Sequence, residues 1–279
     1  MKNTLLVAFV GMSLLLSACK SEFEKIRSSG DVSRIYTKAL EYYEQQEYQR
    51  AQSLFELIIS SYRGKKESEE IYYKYAYTYY HLGQYILASY YFKNFSNTYG
   101  ASSLREEADF MSAYSNYQLS PTFRLDQSYT EQAIEGFQLF VNTYPTSTRV
   151  EECNRLIDEM RSKLERKAYE SAKLYFDLRE YQAAIQTFDN VLKDYPDTEN
   201  AEQIRYMIIR SAYQLAKNSF VDKQKERFLD ARDRASEFMA RFPESRYSKD
   251  VNQIYNDSRE SLNKLDNVGY QNPSARAGS

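Results

Sequence analysis

Tryptophan is absent from the 279 residues, and there are only 8 glycines, 5 prolines, 2 cysteines and 1 histidine. Each scarcity excludes something. Few helix breakers mean long uninterrupted elements joined by short turns, the pattern of an all-helical chain. The single histidine, His81, precedes Gly83 in a predicted turn. It is too little for a metal site or a Cys–His or Ser–His–Asp nucleophile, and reads as a turn or cap residue. There is no glycine-rich phosphate loop and no HExxH stretch. Charge of one sign is missing too: 37 Lys and Arg stand against 39 Asp and Glu, with no basic cluster of the kind nucleic acid requires. The acid pairs Glu69–Glu70 and Glu151–Glu152 fall in amphipathic stretches and read as solvated faces. No enzyme activity, metal or diffusible cofactor is expected.

Long hydrophobic runs are also missing. The only apolar run, Leu5–Leu16, is too short for a bilayer, which takes about 20 residues. With Lys2 before it and small residues after it, the run reads as a secretory signal over residues 1–18. It ends in "LSAC", which resembles the lipobox of bacterial lipoproteins and makes Cys19 the expected attachment point of a diacylglyceryl group and a further acyl chain such as palmitate. Two or more chains, at roughly 0.8 kcal/mol per buried methylene, anchor durably where one does not. A plain signal-peptide cut, or a disulfide from Cys19 to Cys153, are the alternatives. Cys153 itself reads as a small apolar filler. Residues 19–31 read as a tether ending at an N-cap, Asp31 or Ser33.

What the chain has in plenty is tyrosine, 28 residues, and internal repetition. Five segments align: "YQRAQSLFELIISSY" (48–62), "YILASYYFKNFSNTY" (85–99), "EQAIEGFQLFVNTYP" (131–145), "YQAAIQTFDNVLKDYP" (181–196) and "FLDARDRASEFMARFP" (228–243). Each carries an alanine (Ala51, Ala88, Ala133, Ala184, Ala231). Four residues on comes Phe55, Phe92, Phe137, Phe188 or Ala235, and eleven on comes Tyr62, Tyr99, Tyr144, Tyr195 or Phe242. These spacings share one helical face, and Pro145, Pro196 and Pro243 then stop three of the helices. A second series lies upstream: Ala39, Ala76 and Ala172 with an aromatic four later, Ala113 with Tyr117 in the third repeat, and Ala212 as the candidate in the fifth. Each unit is thus helix A, a tight turn, helix B and a stop.

This is the tetratricopeptide (TPR) pattern, with intervals of 37, 45, 51 and 47 residues between helix B alanines, longer than the consensus of about 34. The predicted fold is all-α: a TPR-like superhelical solenoid of about five helix-turn-helix repeats with one long central helix, the breaker-free stretch 147–178. The expected segments are a signal (1–18), a lipidated tether (19–31), repeats 1–3 (32–145), the long helix with repeats 4–5 (146–265), and a disordered tail (266–279). An irregular helical bundle is the alternative.

Around Ala76, six tyrosines cover roughly a 200° arc of the second helix A, more than one helix B would bury. Rigid aromatics with a polar tip suit a protein-binding surface, and Tyr72, Tyr75 and Tyr79, with Tyr36 of the first repeat, are the candidate contacts for a substrate peptide. Burial between neighbouring repeats is the competing reading.

The lipobox, the short tether and the five long-interval TPR units together resemble the BamD family, TPR lipoproteins of the outer-membrane β-barrel assembly (BAM) machinery. The resemblance covers residues 19 to about 265. It implies a non-catalytic scaffold anchored in the outer membrane and facing the periplasm. N-terminal repeats would engage unfolded β-barrel precursors, C-terminal repeats the POTRA domains of BamA, and other BAM lipoproteins would complete the assembly. Lys20 after Cys19 is not the Asp that would suggest inner-membrane retention. The insertion "SPTFRLDQ" (120–127) departs from consensus repeats. The competing class is another periplasmic TPR adaptor, of the Tol–Pal or cell-wall kind. A glycan-capturing lipoprotein of the SusD kind would need a longer chain and Trp platforms.

Overall fold

A computed structural model describes residues 21–271, with side chains through residue 267, and every regular element among them is an α-helix. In chain order these are α1 (Glu22–Arg27), α2 (Val32–Glu44), α3 (Tyr48–Ile58), α4 (Ser68–His81), α5 (Tyr85–Thr98), α6 (Arg105–Leu119), α7 (Ser128–Thr143), α8 (Val150–Asp177), α9 (Tyr181–Asp194), α10 (Ala201–Lys217), α11 (Val221–Arg241) and α12 (Ser248–Gln271). The chain divides into two compact units, residues 1–160 and 161–279. The division falls inside α8, not at the expected 145/146 boundary. Cys153, Leu156, Ile157 and Met160 on its first half are buried, which draws that half into unit 1. The fold is all-α and TPR-like: α2/α3, α4/α5 and α6/α7 are repeats 1–3, the end of α8 with α9 is repeat 4, and α10/α11 is repeat 5.

The repeated positions form the core. Ala51, Ala88, Ala133, Ala184 and Ala231 are fully buried, as are Phe55, Phe92, Phe137, Phe188 and Ala235. Each Phe removed from water contributes roughly 2–3 kcal/mol, and each alanine lets two helix axes approach. In repeat 3 the approach is tight enough that a Cβ added at Gly136 of α7 would stand 2.8 Å from the Ala113 Cβ of α6.

Two kinds of turn alternate. Between helices A and B, a residue of positive φ reverses the chain: Gln46 (61°), Gly83 (71°) and Arg179 (64°). Each lies two residues before the tyrosine that opens helix B, and its N–H bonds back to the carbonyl of Tyr43, Tyr80 or Phe176. Between repeats, a Ser or Thr stands three residues after the closing aromatic. Ser102, Ser147, Thr198 and Ser245 donate to Glu69, Glu106, Glu165 and Glu202 in the first turn or early part of the preceding helix A, while their Oγ accepts the N–H two residues on. One hydroxyl therefore fixes both the turn and its distance from the previous repeat. This fourfold motif lies outside the alanine–aromatic pattern that reveals the repeats.

Two expectations change at the ends. Residues 22–27, expected to be tether, form α1, whose Ile26 is fully buried. Asp31 does cap α2, accepting from the Arg34 N–H at 3.0 Å. The expected tail is helical as far as Gln271. Val251, Ile254, Ser258 and Leu262 make a buried stripe on α12 at helical spacing, and the remaining face is polar, as befits the last helix of an array. Residues 1–18 and Cys19 lie outside the described residues, as do 272–279.

Candidate functional site

Unit 1 contains a groove of about 680 Å³ bounded by α5, α6 and α7. Helix α5 turns its core face inward through Ala88, Phe92 and Phe95. The other face gives the groove Ile86, Ser89, Tyr90, Lys93, Asn94 and Asn97, alternate steps of three and one. Helix α6 supplies the floor with Ser112, Ala113 and Asn116, and α7 the far wall with Tyr129, Gln132, Gly136, Leu139 and Thr143. Gly136 places no α7 side chain over Ala113 on the floor, and the Ser112 hydroxyl donates to the Ser89 carbonyl at 3.0 Å, tying α6 to α5.

One end of the groove is ionic. Asp109 accepts from the Tyr144 hydroxyl at 2.8 Å and faces Lys93 and Arg105, each at 3.8 Å. Burial and that hydrogen bond push the Tyr144 phenol up to about 12. Apolar side chains line the rest: Ile86 and Tyr90 are 58% exposed and Leu139 55%. Between them the amides of Asn97, Asn116 and Gln132 have no hydrogen-bond partner among the described residues. Unpaired amides bounded by apolar side chains match an extended peptide, whose backbone offers N–H and C=O in turn and whose side chains need apolar cover.

None of the four sequence-predicted tyrosines lines this groove. Tyr75 (3% exposed) and Tyr79 (9%) are buried, with hydroxyl oxygens 2.7 Å apart and both rings packed on Tyr91. Their burial follows from the position of α4, which packs against both α3 and α5, so its buried arc is wider than one partner would make it. These two rings support the surface and do not form it. Tyr72 is half-buried, shares a hydrogen bond with Asn94, and lies within 6.5 Å of Tyr91, Phe95 and Tyr99. The Tyr36 hydroxyl donates to Glu70 at 2.8 Å, and burial, then that bond, raises its pKa. His81 closes α4 with its ring stacked on Tyr48, centroids 4.1 Å apart. Apart from Ala113 and Tyr144, which belong to the repeat pattern, the groove residues escaped the sequence reading because they lie off the repeated face. Gly136, a glycine inside a strongly helical pattern, was the available signal.

Among the described residues no helix is long and apolar enough to cross a membrane. A search of curated proteins by sequence finds no match. Among solved structures, the TPR domain of P58(IPK) is 17% identical, with 93% of this chain and 73% of that chain covered and a TM-score of 0.40. The TPR2AB domain of yeast Sti1 in its pHSP90 complex is 11% identical, with 83% of this chain and 100% of that chain covered and a TM-score of 0.40. The family model described as YfiO, outer membrane lipoprotein, matches residues 28–209, more than half of the chain. The chain belongs to the YfiO family of outer-membrane lipoproteins, which is the BamD family.

Proposed function

We propose that this protein is a non-catalytic assembly factor of the outer membrane, lipid-anchored through Cys19 and facing the periplasm, which holds unfolded β-barrel precursors for insertion and docks on the POTRA domains of BamA. Family membership supports the setting, an outer-membrane lipoprotein. The observation that carries the substrate reading is the unit 1 groove, with its unpaired amides and exposed Ile86, Tyr90 and Leu139. A precursor held before it folds is an extended chain with unmet backbone groups and alternating apolar side chains. That is the ligand such a lining fits. Tyr72 would act from beneath, its ring packed on Tyr91 and Phe95 of α5, a helix that carries the lining, while Tyr36 ties α2 to α4 through Glu70. Contacts to other BAM lipoproteins belong to the same proposal.

The test places a photo-crosslinking residue at Asn97 and separately at Gln132, in the full chain in growing cells, and pairs this with affinity purification of the unaltered chain. Adducts with barrel precursors at both positions and co-purification of BamA are expected. Adducts confined to cell-wall or Tol–Pal components, with barrel proteins at normal levels after depletion, would overturn the proposal in favour of a different periplasmic adaptor.

A further inference from the structure

Residues 20–31 as a flexible tether would let the protein range over roughly 19 Å from its lipid. The structure fastens most of that segment down. Ser21 caps α1 by accepting the Glu24 N–H at 3.3 Å. Ile26 is fully buried, Phe23 meets Tyr42 edge-on with centroids 5.9 Å apart, and the Arg50 guanidinium lies over both rings, at 5.9 and 5.4 Å. Lys38 bridges Glu22 of α1 at 3.2 Å and Glu41 of its own helix at 2.8 Å. Both helices of repeat 1 thus hold α1 by apolar, aromatic and ionic contacts. Its first residue is fixed to unit 1.

We infer that α1 is a rigid mount which seats repeat 1 directly on the lipid headgroups, in place of a tether from which it would swing. The inference rests on the reading of Cys19 as the lipidated residue. From the Cα of Ser21 to that of Cys19 are two steps, at most about 7 Å of chain. A diacylglyceryl group leaves its glycerol at the headgroup boundary, because its acyl chains must lie in hydrocarbon. The end of repeat 1 that carries α1 then has nowhere to be except against that boundary.

The charge around the mount says which force sets the position. Lys25, Arg27, Arg34, Lys38 and Arg50 are matched by Glu22, Glu24, Asp31, Glu41 and Glu47. A polybasic anchor would be drawn to anionic lipid and released by salt. A balanced surface is not, so covalent attachment and packing hold repeat 1, and salt does not move it. The groove of unit 1 is consequently offered at a set height above the bilayer.

The test uses the full lipidated chain in vesicles of phosphatidylethanolamine and phosphatidylglycerol, with a spin label on Gln49→Cys, an exposed site of α3. Cys153 is buried and stays unlabelled. The distance from label to headgroups is compared with two variants: Ile26→Asp, which releases α1, and ten Gly/Ser residues inserted after Lys20, which leaves the packing of α1 intact. A short, narrow distance that is the same at low and high salt is expected for the parent. The insertion should shift it outward by about 17 Å and broaden it, and Ile26→Asp should broaden it too. A parent distribution already as broad as that of Ile26→Asp, or one that shortens at low salt, overturns the mount while leaving the anchor in place. An N-terminal peptide without acyl mass, from a chain that washes off the vesicles, overturns the anchor and the mount together.

Discussion

Units 1 and 2 each set a helix A among B helices, α5–α6–α7 in one and α9–α10–α11 in the other. The first leaves a groove of about 680 Å³, the second a pocket of about 40 Å³. Aligning the buried alanines gives the reason. Gly136 of α7 falls opposite Arg234 of α11, Thr143 opposite Arg241, Leu139 opposite Glu237, and Lys93 of α5 opposite Asp189 of α9. Arg234 spans the second site, bonding Asp230 at 2.9 Å and facing Asp189 at 3.6 Å. Asp189 is desolvated enough for its carboxyl pKa to rise in spite of that arginine. The same scaffold therefore leaves an open groove where its off-core face is small and amide-rich, and a closed surface where that face is long and charged. Backbone similarity between repeats does not predict which of them leaves a groove.

Exchanging the decisive residues should break the comparison. Gly136→Arg puts a Cβ into the 2.8 Å space before Ala113 and its guanidinium into the groove. Overpacking of this kind costs about 1–3 kcal/mol, read as a lower denaturant midpoint, and precursor crosslinks at Asn97 should disappear. Thr143→Arg fills the same groove from its rim without the strain and should lose the crosslinks at nearly full stability. Persistent crosslinks in both would remove the groove from the account. The converse, Arg234→Ala, should open the unit 2 pocket, raise the Asp189 carboxyl further and cost about 1 kcal/mol, the upper end for a partly exposed ion pair.

A smaller effect separates the units by their turns. Gln46 in unit 1 and Arg179 in unit 2 hold the positive φ that Gly83 holds without penalty. A side chain there costs on the order of 1 kcal/mol. Gln46→Gly and Arg179→Gly should each stabilise their own unit by about that much, seen as slower amide exchange confined to that unit. Equal slowing in both units would mean that the two unfold as one.

Much of the fold was legible because it repeats. The alanines and the aromatics four residues on define a helical face, and a periodic signal read five times over survives loops of unequal length. What escaped depends on a second neighbour. The wheel around Ala76 places Tyr75 and Tyr79 about 100° and 60° from the alanine, which looks like surplus surface until α3 and α5 are both present. Ile26 gives no period within the six residues of α1, and α12 has no alanine–aromatic pair to announce it. The groove was least legible, because Asn97, Asn116 and Gln132 become a lining only when three helices converge. Polar residues on an outer face carry no signature in one dimension.

The smallest effect concerns the one histidine, which only unit 1 possesses. Burial against Tyr48, Tyr77 and Tyr80 holds the His81 imidazole below its ordinary value of 6.5. Above 6.5 the ring is neutral folded and unfolded, and its titration contributes nothing to the pH dependence. As pH falls below 6.5 the unfolded chain takes up the proton first, so stability declines until the folded ring protonates as well, and then levels off. Between pH 7.5 and 5.5 the unit 1 midpoint should therefore drop slightly more in the parent than in His81→Phe, which keeps the stacked ring and removes the proton site. Carboxylates common to both chains cancel in that difference. Parallel curves for the two would show that the stacked imidazole gains its proton as readily in the folded chain as in the unfolded one.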